Sequence, residues 1–222
     1  MKEKVIMSWS GGKDSSLALN EIKKNSDYEI TALLTTTSSD YDRISMHGVR
    51  RVLLEKQAES LDIPLDVIPI PKSHTLEEYG MKMQEALERH AKAGVTGVVF
   101  GDIFLEDLKK YREDNLAKVQ MKGIFPIWKR NTSELAKTFT DLGFRAVITT
   151  IDSKVLDKSF VSREFDKDFC AELPLKVDPC GENGEFHSFV YDGPIFKEPI
   201  SHKKGEIVFR ENRFYYCDLI PD

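Results

Sequence analysis

Over its first two-thirds the chain alternates short apolar runs with amphipathic stretches. Lys4–Trp9 is apolar enough for a strand, and Ser15–Lys24 carries Leu17, Leu19 and Ile22 on one helical face. Ile30–Thr36, rich in β-branched residues, predicts a second strand. Met46–Leu61 has helical spacing and is followed by Pro64 and a strand at Leu65–Ile70. Thr75–Ala93 predicts a long helix, with Thr75 three residues before Glu78 as in a capping box. Val95–Phe100 is an uninterrupted apolar run, suited to a strand buried on both faces. Helices are expected over Leu105–Met121 and over Asn131–Leu142, the latter closed by Gly143. Phe144–Ile151 reads as the next strand of the series.

This rhythm predicts an α/β fold, a doubly wound parallel sheet with helices on both faces. Ligands bind beyond the carboxyl ends of the strands in such sheets. Chemistry is therefore expected in Ser10–Ser15, Thr37–His47, Gly101–Asp102, Trp128–Arg130 and Thr150–Asp152. Composition shifts after about Ser153, where Pro and Gly gather around the cluster DPCGENGEFHSFVYDGPIF. Residues 1–152 are expected to form a nucleotide-binding domain, and 153–222 a smaller α+β region that binds substrate. Glu206–Leu219 predicts a strand pair turning near Asn212.

Composition narrows the function classes. The 222 residues suffice for one sizeable core, or a domain with an appendage. No apolar run nears the roughly 18 residues that span a bilayer. The opening MKEKVIMSW lacks a small-residue cleavage site, so it reads as a strand and not a signal peptide. A cytoplasmic location without membrane contact is expected. The net charge of -5 runs against a general nucleic-acid binder, so no such partner is expected. Cys170, Cys180 and Cys217 form no CxxC pair, and the five histidines show no HExxH spacing, which excludes the common fixed metal sites.

The strongest local signal is strand, then Ser-Gly-Gly-Lys-Asp-Ser-Ser from Ser10, then helix. Gly11 and Gly12 allow unusual backbone angles and close approach of a phosphate. The helix start offers free N–H groups and the positive end of its dipole. Ser10 and Ser15 add hydroxyls, and Lys13 adds a positive charge. Asp14 alone would repel phosphate, so a magnesium ion held there is the natural complement. A Walker A loop is excluded, because Asp14 follows the lysine and Met7 stands where a glycine is required. Ser10-x-x-Lys13 matches a β-lactamase signature formally, but no KTG follows.

Ser10-Gly11-Gly12-Lys13-Asp14-Ser15 resembles the SGGxDS PP-loop of the N-type ATP pyrophosphatases, which include GMP, asparagine and NAD synthetases and tRNA thiolases. The resemblance implies a HUP-type, adenine nucleotide alpha hydrolase-like fold, ATP and Mg2+ as cofactors, and adenylation with release of pyrophosphate. Gly181-Glu182-Asn183-Gly184-Glu185-Phe186 resembles the G-E-x-G-E-[FY] segment of the diphthamide synthase (diphthine–ammonia ligase) family. Leu142-Gly143-Phe144, Leu156-Asp157, Phe160, Arg163, Asp192, Pro194 and Phe196 fit the same pattern. The segment Phe104–Glu113 departs from it, lacking a Gln-Arg-x-Arg-type stretch, so different substrate contacts are expected.

Taken by itself, the cluster is either a solvated turn before a strand or a set of two carboxylates and an imidazole able to orient an amine. The resemblance implies the second, with Lys13, Asp14, Glu182, Glu185 and His187 as catalytic residues. It implies nucleotide contacts from Ser10, Gly11, Gly12, Lys13, Asp14, Ser15, Thr35, Met46, His47, Gly101 and Arg130. His47 reads equally as a helix cap, and Arg130 of the Trp128-Lys129-Arg130 element equally as a plain loop residue. The implied partners are a carboxylate substrate such as diphthine on elongation factor 2, ammonia, and a second copy in a homo-oligomer. The expected reaction is adenylation of the carboxylate and amide formation. The alternatives are the same chemistry on a small-molecule carboxylate, and a non-catalytic nucleotide sensor.

Overall fold

The structure is a computed structural model that describes residues 2–44 and 47–222. Its elements run β1 (Glu3–Ser8), α1 (Lys13–Lys23), β2 (Tyr28–Ser38), β3 (Arg43–Ile44), α2 (Arg51–Leu61), β4 (Leu65–Ile70), α3 (Leu76–Lys92), β5 (Gly97–Val99), α4 (Glu106–Ala117), β6 (Lys122–Ile124), α5 (Thr132–Asp141), β7 (Arg145–Asp152), a 3-10 turn (Lys158–Phe160), α6 (Lys167–Glu172), β8 (Phe186–Asp192), β9 (His202–Arg210) and β10 (Phe214–Pro221).

The first sheet places β1 between β2 and β5, with β4 beyond β2 and β6 beyond β5, all parallel. Short β3 pairs antiparallel with the far end of β2. Val5, Ile6 and Met7 of β1 are fully buried, as a central strand covered on both faces requires. The chain winds outward from β1 to β2 and β4, then returns to β5 on the other side. That reversal opens a crevice at the carboxyl ends of β1 and β5. The α/β class and the winding are as the sequence predicts.

The strand at Arg145–Asp152 corrects the expected series. It does not continue the parallel sheet. It lies inside a second, antiparallel sheet of order β8-β7-β10-β9. The second helix also starts later than its apolar spacing suggests, at Arg51, because Gly48 has φ +68° and Arg50 is extended. Its expected first residue, Met46, lies outside the described residues. The expected tail hairpin is present. Glu211 and Asn212 take φ of 55° and 49° between β9 and β10, the double left-handed turn that matches strand twist. The capping box at Thr75 is formed on both sides.

One apolar core runs from the α1–α2 face of the first sheet into the second, joining Met7, Trp9 and Leu53 to Phe139, Phe186 and Phe189. The opposite face of the first sheet packs Ile6, Leu34, Val98, Leu87 and Leu116 under α3 and α4. No helix is long and apolar enough to cross a membrane among the described residues.

Arg43 of β3 and Arg50 at the head of α2 clamp Asp218 of β10, at 2.8 Å and 2.7 Å. The Arg50 hydrogen bond, working against partial burial and helped by Arg43, pulls the Asp218 carboxyl from 3.8 to about 2. A carboxyl depressed on folding stabilises above its unfolded pKa and loses that contribution as pH falls toward the folded value. Asp218→Asn should therefore lower stability by about 1–2 kcal/mol near neutral pH. Urea unfolding should show the wild-type advantage shrinking as pH is brought below about 4.

Candidate active site

The loop from Ser10 to Ser15 leaves β1 at the crevice and opens α1. Its shape is set by contacts from far along the chain. Gly11 has φ +74°, and a Cβ there would lie 2.7 Å from Gln57 Oε1. Fully buried Gln57 accepts a hydrogen bond from Trp9 Nε1 at 2.9 Å. Its Nε2 donates to the carbonyls of Gly11 at 3.1 Å and Val190 at 2.6 Å. Val190 N–H donates to the Gly11 carbonyl at 2.9 Å, and Lys13 N–H donates to Ser188 Oγ at 3.2 Å. The loop is thus bolted to β8. The Asp14 and Ser15 amides, at the head of α1, find no acceptor among the described residues. Ser10 and Ser15 bring their hydroxyls together at 3.1 Å.

Lys13 does not point into solvent. Its side chain is 3% exposed, and its ammonium lies 2.9 Å and 2.8 Å from the two Asp14 carboxylate oxygens and donates to the Cys180 carbonyl. It also sits over the rings of Phe186 and Phe165. Burial alone would discharge it, but the Asp14 carboxylate outweighs that and holds its pKa above the ordinary value.

The segment 178–185 is a knot of short hydrogen bonds. Asp178 Oδ1 accepts from the amides of Cys180 and Glu182. Glu185 accepts from the amides of Asp178 and Asn183 and from the Asn183 side chain. Its carboxylate is therefore consumed in holding the loop and does not line the cavity. Of the expected catalytic residues, Glu185 is the one turned away from the cavity. Glu182, three residues earlier, faces the other way. It accepts from Ile103 N–H at 2.7 Å and lines the cavity. Burial, reinforced by the nearby Asp14 charge against the Ile103 hydrogen bond, raises its carboxyl to about 7.

His47 and His187 stack with ring centroids 4.4 Å apart. His47 bonds to the Ser188 backbone through its ring, and burial, opposed by that bond, drops its pKa to about 4. His187 is driven well below its ordinary value by burial, then by His47 and Lys13. Both are neutral at physiological pH, and His47 Nδ1 and His187 Nε2 have no partner among the described residues. His47 caps no helix, since Arg50 holds that position.

These groups surround one cavity of about 700 Å³. Ser10, Gly12, Lys13, Asp14, Ser15, Thr35, His47, Gly101, Glu182 and His187 all line it. Gly101 does so because its bare Cα abuts the Asp14–Ser15 backbone, where a Cβ would fall 2.8 Å away. Gly11 stands behind the wall, held by Gln57. Arg130 stands apart, 3.9 Å from Glu21 on α1, and is absent from the lining. The geometry thus gives it no contact with a ligand in the cavity. Met46 lies outside the described residues. No three His, Cys, Asp or Glu side chains converge as a metal cage among the described residues.

Comparison with known proteins gives the family. Residues 3–123 match the model of the diphthamide synthase N-terminal domain, and 131–219 match that of its C-terminal domain. The chain belongs to the diphthamide synthase family. It is similar to the diphthine–ammonia ligase of Danio rerio, 28% identical over 91% of this chain and 88% of the relative. It is also similar to that of Mus musculus, at 26% over 90% and 82%, and to that of Schizosaccharomyces pombe, at 25% over 93% of this chain but 38% of the longer relative.

Within this diphthamide synthase fold, Gln57, Ser188 and Asp178 are site-building residues that the sequence pattern does not single out. Gln57 sits among Glu55, Lys56 and Glu59 and looks like one more polar helix position. Gln57→Met keeps the volume but orphans Trp9 Nε1 and takes one donor from the carbonyls of Val190 and Gly11, the latter keeping Val190 N–H. It should cost about 3 kcal/mol of stability. Calorimetry should also find ATP affinity reduced by roughly tenfold, since the loop loses its backing.

Proposed function

We propose that this chain is an ATP-dependent ligase that adenylates a carboxylate and passes the acyl group to ammonia; the names of its diphthine–ammonia ligase relatives supply the ammonia and the ligation. The observation that supports this most is the meeting of two distant segments on one cavity. Lys13 of the N-terminal loop reaches Cys180 and Ser188, placing phosphate-binding groups beside Glu182 and two neutral imidazoles.

The chemistry balances as two displacements. A carboxylate oxygen attacks the α-phosphorus of ATP, the bond from that phosphorus to the α–β bridging oxygen breaks, and pyrophosphate leaves. Ammonia then attacks the acyl carbon, the bond to the adenylate oxygen breaks, and AMP leaves. The amine nitrogen gives up one proton. The Asp14 and Ser15 amides at the helix start, with the Ser10 and Ser15 hydroxyls, are placed to hold the pyrophosphate as its charge develops. Lys13 is within reach of the same phosphates by exchanging its Asp14 contact. Glu182, poised near neutrality, accepts the amine proton. Neutral His47 and His187 offer nitrogen lone pairs toward an N–H donor and keep the second nucleophile uncharged. A magnesium ion arriving with the triphosphate would find Asp14 as its protein ligand and would neutralise phosphate charge. Diphthine is the acceptor that the relatives' names favour, and elongation factor 2 as its carrier is what the sequence resemblance implies.

With α-labelled ATP, ammonium and diphthine-bearing elongation factor 2, product analysis should show AMP, dependent on the factor and abolished by Asp14→Ala. ADP as the sole labelled product would overturn the reading. If Glu182 is the base, its active form is the carboxylate, so kcat should rise with pH through about 7. Glu182→Gln should flatten that limb and cut kcat by roughly 10²-fold or more.

A further inference from the structure

The second sheet, of order β8-β7-β10-β9, has two edges, and they are finished differently. At β8 the phosphate loop covers the outer backbone groups. Val190 N–H donates to the Gly11 carbonyl, and Gln57 donates to the Val190 carbonyl. At the other end β9 pairs with β10 alone among the described residues. It is nine residues long, from His202 to Arg210. A strand with one side bare presents its N–H and C=O groups to any second strand of matching pattern.

The two halves of β9 differ. Ile207 pairs with Cys217 and Lys204 with Leu219, so Gly205 and Glu206 together face Asp218. That bulge bends the edge, and the exposed Lys203 and Lys204 stand just before it. Bulges and lysines are what keep a strand edge from recruiting another. Both lysines are also answered within the chain, by Asp222 and Glu164. The half that follows, Glu206-Ile207-Val208-Phe209-Arg210, has neither device. Ile207, Val208, Phe209 and Arg210 keep regular register with β10. Ile207 is 38% and Phe209 45% exposed, and the Phe209 ring rests on Tyr215 with centroids 4.7 Å apart. Glu206 and Arg210 are exposed, and neither side chain forms an ion pair or hydrogen bond among the described residues.

We propose that β9 pairs antiparallel with β9 of a second copy of this chain, about a two-fold axis at Val208. The segment is then its own complement. Glu206 of each copy stands opposite Arg210 of the other, Ile207 opposite Phe209, and Val208 opposite Val208. Alternation puts the two Ile–Phe pairs on one face and the two Glu–Arg pairs on the other. Neighbouring registers lack this match. An axis at Ile207 sets Lys204 against Arg210, and an axis at Glu206 sets that carboxylate against itself. An axis at Gly205 runs the pairing across the bulge and leaves Arg210 unanswered. A twofold contact of this kind closes after two copies, so the bare edge is used up and growth stops there. No residue of β9 lines the cavity, so the pairing leaves the site open and stands apart from any reading of its chemistry.

The test is sedimentation velocity of the full chain over a concentration series reaching the micromolar range, with two charge variants. Glu206→Arg and Arg210→Glu each set like charges against each other twice across the axis. Both positions are exposed, so neither change empties the core. The wild-type chain should sediment as a dimer, and each variant alone should raise the dimer Kd by at least about tenfold. An equimolar mixture of the two variants should recover the dimer, because Arg at 206 then faces Glu at 210 and Arg210 faces Glu206. A wild-type chain that stays monomeric throughout would overturn the proposal. So would a dimer that both variants keep at wild-type strength, since the contact would lie on another face. Two weakened variants whose mixture fails to recover would overturn the Val208 pairing itself.

Discussion

The site depends on one buried ammonium. An amine with almost no water around it must be neutralised and hydrogen-bonded where it stands, or it discharges or drags its loop into solvent. Lys13 meets that demand with the Asp14 carboxylate beside it in sequence and the Cys180 carbonyl far along the chain. Two phenylalanine faces, Phe165 and Phe186, close over it. The first contact belongs to the phosphate loop and the rest to the second half of the molecule. Satisfying a single charge thus forces the two sheets together at the point where the parallel sheet reverses its winding.

The other contacts follow from that docking. The loop carbonyl at Gly11 is shared by Gln57 and Val190, and its Lys13 amide by Ser188. With those groups occupied, the Asp14 and Ser15 amides remain for an anion. Asp178 and Glu185 spend their carboxylates on knotting 178–185, and that knot carries the Cys180 carbonyl to Lys13 and turns Glu182 toward the cavity. Burial then does the electrostatic work. It keeps both histidines neutral and Glu182 near its titration point, so acceptors of protons stand beside a loop that stabilises negative charge.

Much of this is legible in the sequence, for identifiable reasons. Glycines between a strand and a helix declare the phosphate loop, and helical spacing with Thr75 and Glu78 declares α3. Pairing direction is different. Arg145–Asp152 is buried on both faces, and a continuous apolar run reads the same in a parallel or an antiparallel sheet. Its placement needs the partners β8 and β10, which lie from about 35 to 75 residues downstream. Glu182 and Glu185 belong to one motif, yet only one faces the cavity, because side-chain direction in an irregular loop follows local hydrogen bonds and not spacing. Gln57 is silent for the opposite reason, since its neighbours are polar and its burial is decided by Trp9 and Val190.

On the proposed chemistry, the loop braced by Lys13 holds pyrophosphate as it departs from an adenylate. Isotope exchange between labelled pyrophosphate and ATP, with acceptor present and ammonium withheld, tests that step alone. Exchange should require acceptor and magnesium, and Lys13→Met and Gln57→Met should reduce it steeply. Exchange of label from inorganic phosphate into ATP, with none from pyrophosphate, would place cleavage at the γ-phosphate and contradict it.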